Sequence, residues 1–490
     1  MRDWLIHIKR GEYASLQSQI REALVSAILD RKLDRSEPIP STRKMAKTLS
    51  VSRNTVVLAY QGLLDDGYLL AKERSGYYVS DKAIEDSVAK PRPANKSQIP
   101  NIGLDWAARV KLRPSLQENS VKPLDWQDYN YPFIYGQVDH SLFPLAEWRD
   151  CTRQALGKKW FGAWTNDTSA IDDPLLVEQI RRRILPRRGI MATDDEILVT
   201  MGAQNALFIL TSLLCDKSTR IAMEEPGYSD MRNIFELASD NVKLVQVDEK
   251  GLVPSAALDG SNVVYATPSH QFPTTVTMPL ERRMALLKKA SDENFIIIED
   301  DYEFETNYVN EPCPALKSLD DEGRVIYIGS LSKTLFPGLR LGFMVAPKAL
   351  IAEARALRRL MVRHPPTNNQ RTAALFLSLG HHDTLIRRLH KAYRTRWEVM
   401  GKALETHFPS SSRIPSFGGT SFWVKGPAKL DTEQLTKAAA AQSILIEPGR
   451  VNFGTVPQPK NYFRLAFSSI DEKKIEPGVK LLAEIMKSQL

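Results

Sequence analysis

The stretch Gly329-Ser330-Leu331-Ser332-Lys333-Thr334-Leu335-Phe336-Pro337-Gly338-Leu339-Arg340 sets one lysine between two hydroxyl residues, with an arginine seven positions on. A deprotonated amine is a nucleophile toward carbonyl carbon, and hydroxyls beside a guanidinium make a phosphate-binding set. Taken alone, the segment reads slightly better as a solvated lysine in a glycine-bounded loop. Working outward, strand-like runs occupy 324–329 and 342–345, and earlier ones 196–200, 262–266 and 295–299. Helical patterns separate them at 203–214 and 280–290. Continuous apolar strands alternating with helices predict a buried, mainly parallel sheet in an α/β domain.

Three more constellations lie at the ends of such runs. Thr200-Met201-Gly202-Ala203-Gln204 passes from strand to helix, where backbone N–H groups at the helix start can meet a phosphate. Tight packing is the plainer explanation of that Gly-Ala pair. In Asp300-Asp301-Tyr302 the period of two puts Asp300 and Tyr302 on one face. A carboxylate there can keep a heterocyclic nitrogen protonated and a phenol can bond a neighbouring oxygen, although an exposed acidic turn fits the motif in isolation. Arg464 stands inside the apolar run Tyr462-Phe463-Arg464-Leu465-Ala466-Phe467 and must meet an anion, either a ligand's acid group or a structural carboxylate. Aldehyde-reactive amine, phosphate donors and pyridine partner converge on one cofactor, pyridoxal 5′-phosphate.

The first 82 residues have another character. They hold 14 Lys and Arg against 10 Asp and Glu, half of the whole chain's net charge of +8. Leu16, Ile20, Leu24 and Ile28 mark one helix face. Ser41 reads as the N-cap of a short helix, and Ser52 as the N-cap of a third, in which Val56, Ala59, Tyr60, Leu63 and Leu64 form a buried stripe. Gly67 stops that helix, and 68–70 with 77–79 flank a polar turn as a β-hairpin. This order is a winged helix-turn-helix. Its third helix would present Ser52, Arg53, Asn54 and Thr55 to DNA, with Arg53 suited to a guanine edge and Asn54 to an adenine edge. Arg43, Lys44 and Arg74 would hold phosphates. First-turn surface residues with no such role would look similar.

Residues 83–128, with Lys90-Pro91-Arg92-Pro93-Ala94-Asn95-Lys96-Ser97, read as an extended connector whose isolated Trp106 and Trp126 could anchor its later part. The chain of 490 residues is 43% hydrophobic and 25% charged, which excludes wholesale disorder. Cys151, Cys215 and Cys313 are too few and scattered for a disulfide framework or a zinc site, and no metal is expected. The N-terminus lacks a signal peptide's apolar run and no stretch has the length of a membrane span, so the expected setting is the cytoplasm, away from membranes.

The run Ile39-Pro40-Ser41-Thr42-Arg43-Lys44-Met45-Ala46, with Val51-Ser52-Arg53-Asn54-Thr55-Val56 and Gly67-Tyr68-Leu69, resembles the GntR-type winged-helix family. Residues 129–490, through Gly202-Ala203-Gln204, Glu225-Pro226-Gly227-Tyr228, Pro273-Thr274, Glu299-Asp300-Asp301-Tyr302, Ser330-Leu331-Ser332-Lys333 and Arg464, resemble fold-type I aminotransferases. Joined in one chain, the two resemble the MocR/GabR subfamily of transcription regulators. The resemblance implies that Lys333 holds pyridoxal phosphate as a Schiff base. It places Asp300 at the pyridine nitrogen, Tyr302 at the ring hydroxyl, Tyr228 on the ring face, and Ala203, Gln204, Ser330, Ser332 and Arg340 around the phosphate. Arg464 would take the acidic group of an incoming amine or amino-acid effector, sensed through an external aldimine. A domain-swapped homodimer on a double-stranded operator is implied as well. The alternative is an active aminotransferase with a DNA-tethering module. Two positions depart from the family: Thr275 stands where glycine usually follows Pro-Thr, and Phe272 replaces the asparagine that contacts the ring. Arg450 is either an extra anion contact or a surface residue.

Overall fold

A computed structural model describes residues 8–9, 14–34, 36–73, 75–80, 104–167, 169–309, 313–409, 411–413 and 418–490. The chain divides into two units, residues 1–109 and 110–490.

In the first unit, α1 (Leu16–Leu29), α2 (Thr42–Leu49) and α3 (Arg53–Asp65) precede a hairpin of β1 (Leu69–Lys72) and β2 (Gly76–Val79). Each helix starts at a serine whose side chain accepts a first-turn N–H: Ser15 from Ser18, Ser41 from Lys44 and Ser52 from Thr55. Ile20, Leu24 and Ile28 of α1 pack with Met45 and Ala46 of α2 and with Val56, Ala59, Tyr60 and Leu63 of α3. The expected stripe is buried except at Leu64, which is only partly covered. The wing is fixed to this core by Tyr60, which meets Tyr77 edge-on at 5.1 Å and donates to the Pro40 carbonyl at 2.8 Å.

The second unit is built on β3 (Ile197–Thr200), β4 (Arg220–Glu225), β5 (Asn241–Asp248), β6 (Gly251–Leu252), β7 (Val263–Ala266), β8 (Ile296–Asp301), β9 (Val325–Ser330) and β10 (Gly342–Val345). Their order in the sheet is β3-β10-β9-β8-β7-β4-β5-β6. From β9 to β5 the neighbours are parallel, whereas β10 is antiparallel to both its neighbours. Ile298, Ile326 and Ile328 face one side with Leu207 and Leu210 of α4 (Ala203–Leu214). Ile297 and Val325 face the other with Leu286 and Ala290 of α5 (Leu280–Glu293). Burial on both sides is why these strands carry no polar alternation.

A smaller antiparallel sheet contains β11 (Ser412–Arg413), β12 (Ser421–Lys425), β13 (Glu447–Pro448) and β14 (Tyr462–Ala466), in the order β11-β12-β14-β13. Its register sets Glu447 opposite Arg464. The connector, expected to run to 128, joins this unit from Val110 onward. Gln117 donates to the Asn233 carbonyl at 3.0 Å, and Asn233 donates to the Glu118 carbonyl at 2.9 Å. Trp126 is half-buried, whereas Trp106 is 70% exposed. No helix among the described residues is long and apolar enough to cross a membrane.

Candidate functional site

The carboxyl ends of β3, β4, β7, β8 and β9 open onto one cavity of about 250 Å³. This is where open α/β sheets receive ligands, because loops leave the strands there and helix N-termini point inward. Ala203, Gln204, Tyr228, Asp300, Tyr302, Ser330, Ser332, Lys333, Arg340 and Arg464 all line it. Along the chain these residues are spread from Ala203 to Arg464.

Near the carboxyl end of β8 stands Asp300, whose Oδ2 accepts from the Tyr265 hydroxyl at 2.8 Å. Its Oδ1 is buried without a hydrogen-bond partner among the described residues. Burial pushes this carboxyl up to about 7, with the Tyr265 hydrogen bond opposing. Its neighbour Asp301 points elsewhere, paired with Arg188 at 2.7 Å and accepting from Tyr327 at 2.9 Å. The alternation within β8 thus separates a structural aspartate from one facing the cavity.

Lys333 follows β9, its ammonium 4.0 Å above the ring of Tyr135. Burial pulls it down to about 8, while the Glu303 carboxylate pulls the other way. A weaker hold on the proton leaves more free amine near neutrality, as a carbonyl-bonding lysine requires.

At the opposite end Gly202 has φ +84° and opens α4. A Cβ on Gly202 would lie 2.8 Å from Arg340 Nη2, so the absent side chain makes the space the guanidinium occupies. Arg340 donates to the Met201 carbonyl at 2.8 Å, the Ser330 hydroxyl accepts from Ser332 N–H at 3.2 Å, and Gln204 reaches Asp230 at 3.3 Å. Cation, hydroxyls and a helix N-terminus form a phosphate-type cradle.

Pyridoxal phosphate fits this donor set. A buried carboxylate oxygen without a donor suits a protonated ring nitrogen, a lysine of weakened basicity suits the aldehyde, and the Gly202–Arg340 cradle suits the phosphate.

Of the two readings of Arg464, the structure shows the structural carboxylate. The Arg464 guanidinium pairs with Glu447 at 2.7 and 2.8 Å, yet it also lines the cavity. It lies 4.1 Å over Tyr135 and 4.6 Å over Phe272, so the family's missing asparagine is replaced by a face for a cation. Thr275 keeps the glycine-like backbone at φ +65°, a strained conformation for a β-branched residue. Arg450 lies away from this cavity, bound to Glu118 and Glu433 at 2.8 and 2.6 Å. Tyr265, Tyr135, Glu447 and Lys122 escaped the sequence reading; Tyr265, at the end of an apolar strand, was the one with a local signal.

On the first unit Arg43 and Lys44 are exposed in the first turn of α2, and Arg53 and Asn54 in the first turn of α3. Ser52 and Thr55 are engaged locally: the Ser52 hydroxyl accepts from Thr55 N–H at 3.1 Å and meets the Thr55 hydroxyl at 2.7 Å. Arg74 lies outside the described residues.

Residues 16–79 match the family described as bacterial regulatory proteins, gntR family, and residues 158–482 match aminotransferase class I and II. The HTH-type transcriptional regulator TauR of Rhodobacter capsulatus is 45% identical over 97% of this chain and 98% of its own length. The probable rhizopine catabolism regulatory protein MocR of Rhizobium meliloti is 29% identical over 98% and 95%. Among solved structures, the Pyrococcus horikoshii kynurenine aminotransferase, crystallised with PMP, shares 27% identity with a TM-score of 0.70, covering 78% of this chain and 98% of that one. The chain therefore belongs to the MocR/GabR type of GntR transcription regulators, in which a winged DNA-binding module is joined to a pyridoxal-phosphate-dependent, fold-type I aminotransferase-like domain.

Proposed function

We propose that this regulator senses a small amine bearing an acid group in the cavity of the large unit and answers with altered binding of the winged helix to a double-stranded operator. The observation that carries the reading is the meeting of Lys333, the phosphate-type cradle and Arg464 in one cavity. Pyridoxal phosphate supplies an aldehyde that bonds reversibly with amines. Lys333 would hold that aldehyde in the absence of an effector amine. Asp300 would partner the ring nitrogen, Tyr302 the ring hydroxyl and Tyr228 the ring face. Ala203, Gln204, Ser330, Ser332 and Arg340 would hold the phosphate, and Arg464 would receive the effector's acid group. Arg53 and Asn54 read base edges while Arg43 and Lys44 hold DNA phosphates.

Switching requires that the effector bind two arrangements of the protein with different affinity. A cytoplasmic homodimer presenting two winged helices to paired half-sites completes the proposal. The test is an absorption titration with amines, run beside operator binding. A shift of the visible band that stops at saturation and changes DNA affinity is expected. Loss of the band that a keto acid restores through repeated turnover, with DNA affinity unmoved, would overturn the sensor reading in favour of an enzyme.

A further inference from the structure

The connector brings a second cation to the acid-binding end of the cavity. Lys122 lines it together with Ser120, although both precede the aminotransferase-like segment. The Lys122 ammonium donates to the Tyr135 carbonyl and stands 3.6 Å from Glu447 Oε1. Glu447 Oε2 is already held by Arg464. One carboxylate is thus shared by two cations. Glu303, a further carboxyl group near Lys333, accepts from the Thr420 hydroxyl at 2.5 Å and forms no ion pair with either cation among the described residues; burial raises its proton affinity.

This ammonium also lies close to the reacting lysine. A Cβ on Gly136 would lie 3.1 Å from Lys333 Nζ and 3.2 Å from Lys122 Nζ. The two nitrogens are therefore no farther apart than those distances laid end to end, so a short amino acid suffices to reach Lys122 with its acid oxygens from the place of the Lys333 nitrogen. An excess cation in a half-buried site is costly to leave uncompensated, and a single incoming negative charge compensates it.

Resting on the effector reading above, we propose that Lys122 is a specificity-determining residue: it binds the effector's acid group together with Arg464 and makes the site select short amines carrying one negative charge. Glu447 holds the two cations in place and spaces them. An uncharged amine of equal length leaves the excess charge unanswered, and a second acid group brings one negative charge too many. Val121 and Leu124 beside it are 82% and 102% exposed, so Ser120 and Lys122 are the residues that bring this part of the connector to the cavity.

The test uses the full-length, cofactor-loaded protein and reads the cofactor's visible band, not turnover. β-Alanine, γ-aminobutyrate and taurine are titrated against propylamine and butylamine in the parent protein, Lys122→Gln and Lys122→Arg. The expected result is that Lys122→Gln lowers the preference for the acid-bearing probes at least tenfold, leaves the alkylamines within twofold, and that Lys122→Arg restores most of the preference. Both variants should still show the visible band of the bound cofactor and still bind DNA without amine, which separates recognition from misfolding. An unchanged preference in Lys122→Gln, or equal losses for both probe classes, would overturn the proposal while leaving the effector reading standing. Absence of any amine-dependent shift in the parent protein would overturn the effector reading and this inference with it.

Discussion

Tyr265 donates to one oxygen of Asp300 at 2.8 Å and leaves the other, Oδ1, buried and without a partner among the described residues. A buried carboxylate in that condition costs free energy unless a cationic donor arrives, and its raised proton affinity expresses that cost.

Asp300→Asn should therefore behave oppositely with and without cofactor. The folded Asp300 titrates near 7, above its unfolded value, so the cofactor-free protein loses stability as pH rises through that interval. Without cofactor the Asn variant should be the more stable above pH 7, by up to about 4 kcal/mol, with the advantage vanishing as pH falls toward 4. With cofactor the order should reverse, since the ring nitrogen loses its partner. Thermal melts across pH with and without pyridoxal phosphate check both signs.

Gly202→Ala should weaken cofactor binding more than folding. The new methyl meets Arg340 Nη2 at 2.8 Å, and φ +84° strains any L-residue by about 1–3 kcal/mol. Equilibrium dialysis of pyridoxal phosphate should show an affinity loss of tenfold or more, with the α/β core still cooperative in melting. Unchanged affinity would mean that Arg340 does not hold the phosphate.

Base reading and backbone holding separate by mutation. Arg53→Ala should relax preference at one base pair by about 1–3 kcal/mol, whereas Arg43→Ala or Lys44→Ala should weaken all sequences alike and lower the salt dependence. Binding to operator variants at two salt concentrations distinguishes the patterns.

Ser52→Ala removes the α3 cap, whose hydroxyl accepts from Thr55 N–H. The DNA-binding unit should lose about 1 kcal/mol. Differential melting of the two units measures it, and a loss confined to the second unit's transition would contradict it.

Local features were legible from the residue order. Serine caps at 41 and 52, the apolar stripe of α3, and Asp300 and Lys333 at strand ends follow from periodicities of a few residues. What escaped depends on distant pairing. Glu447 accepts from the backbone of Tyr135, 312 positions away, and no local pattern foretells that neighbour. Lys122 sat in a stretch of connector composition, where lysines are ordinarily solvated. Arg464 was recognisable as an arginine needing an anion, but only the β13–β14 register shows that Glu447 supplies one.

The most direct measurement is operator binding by fluorescence anisotropy, with and without the amine that shifts the visible band, in the parent protein and Lys333→Ala. The parent should change its operator affinity on adding the amine. The variant should bind operator as the parent does without amine, lack the visible band, and ignore the amine. A variant that still answers the amine as the parent does, or a folded variant that has lost specific DNA binding, would contradict a sensor working through Lys333.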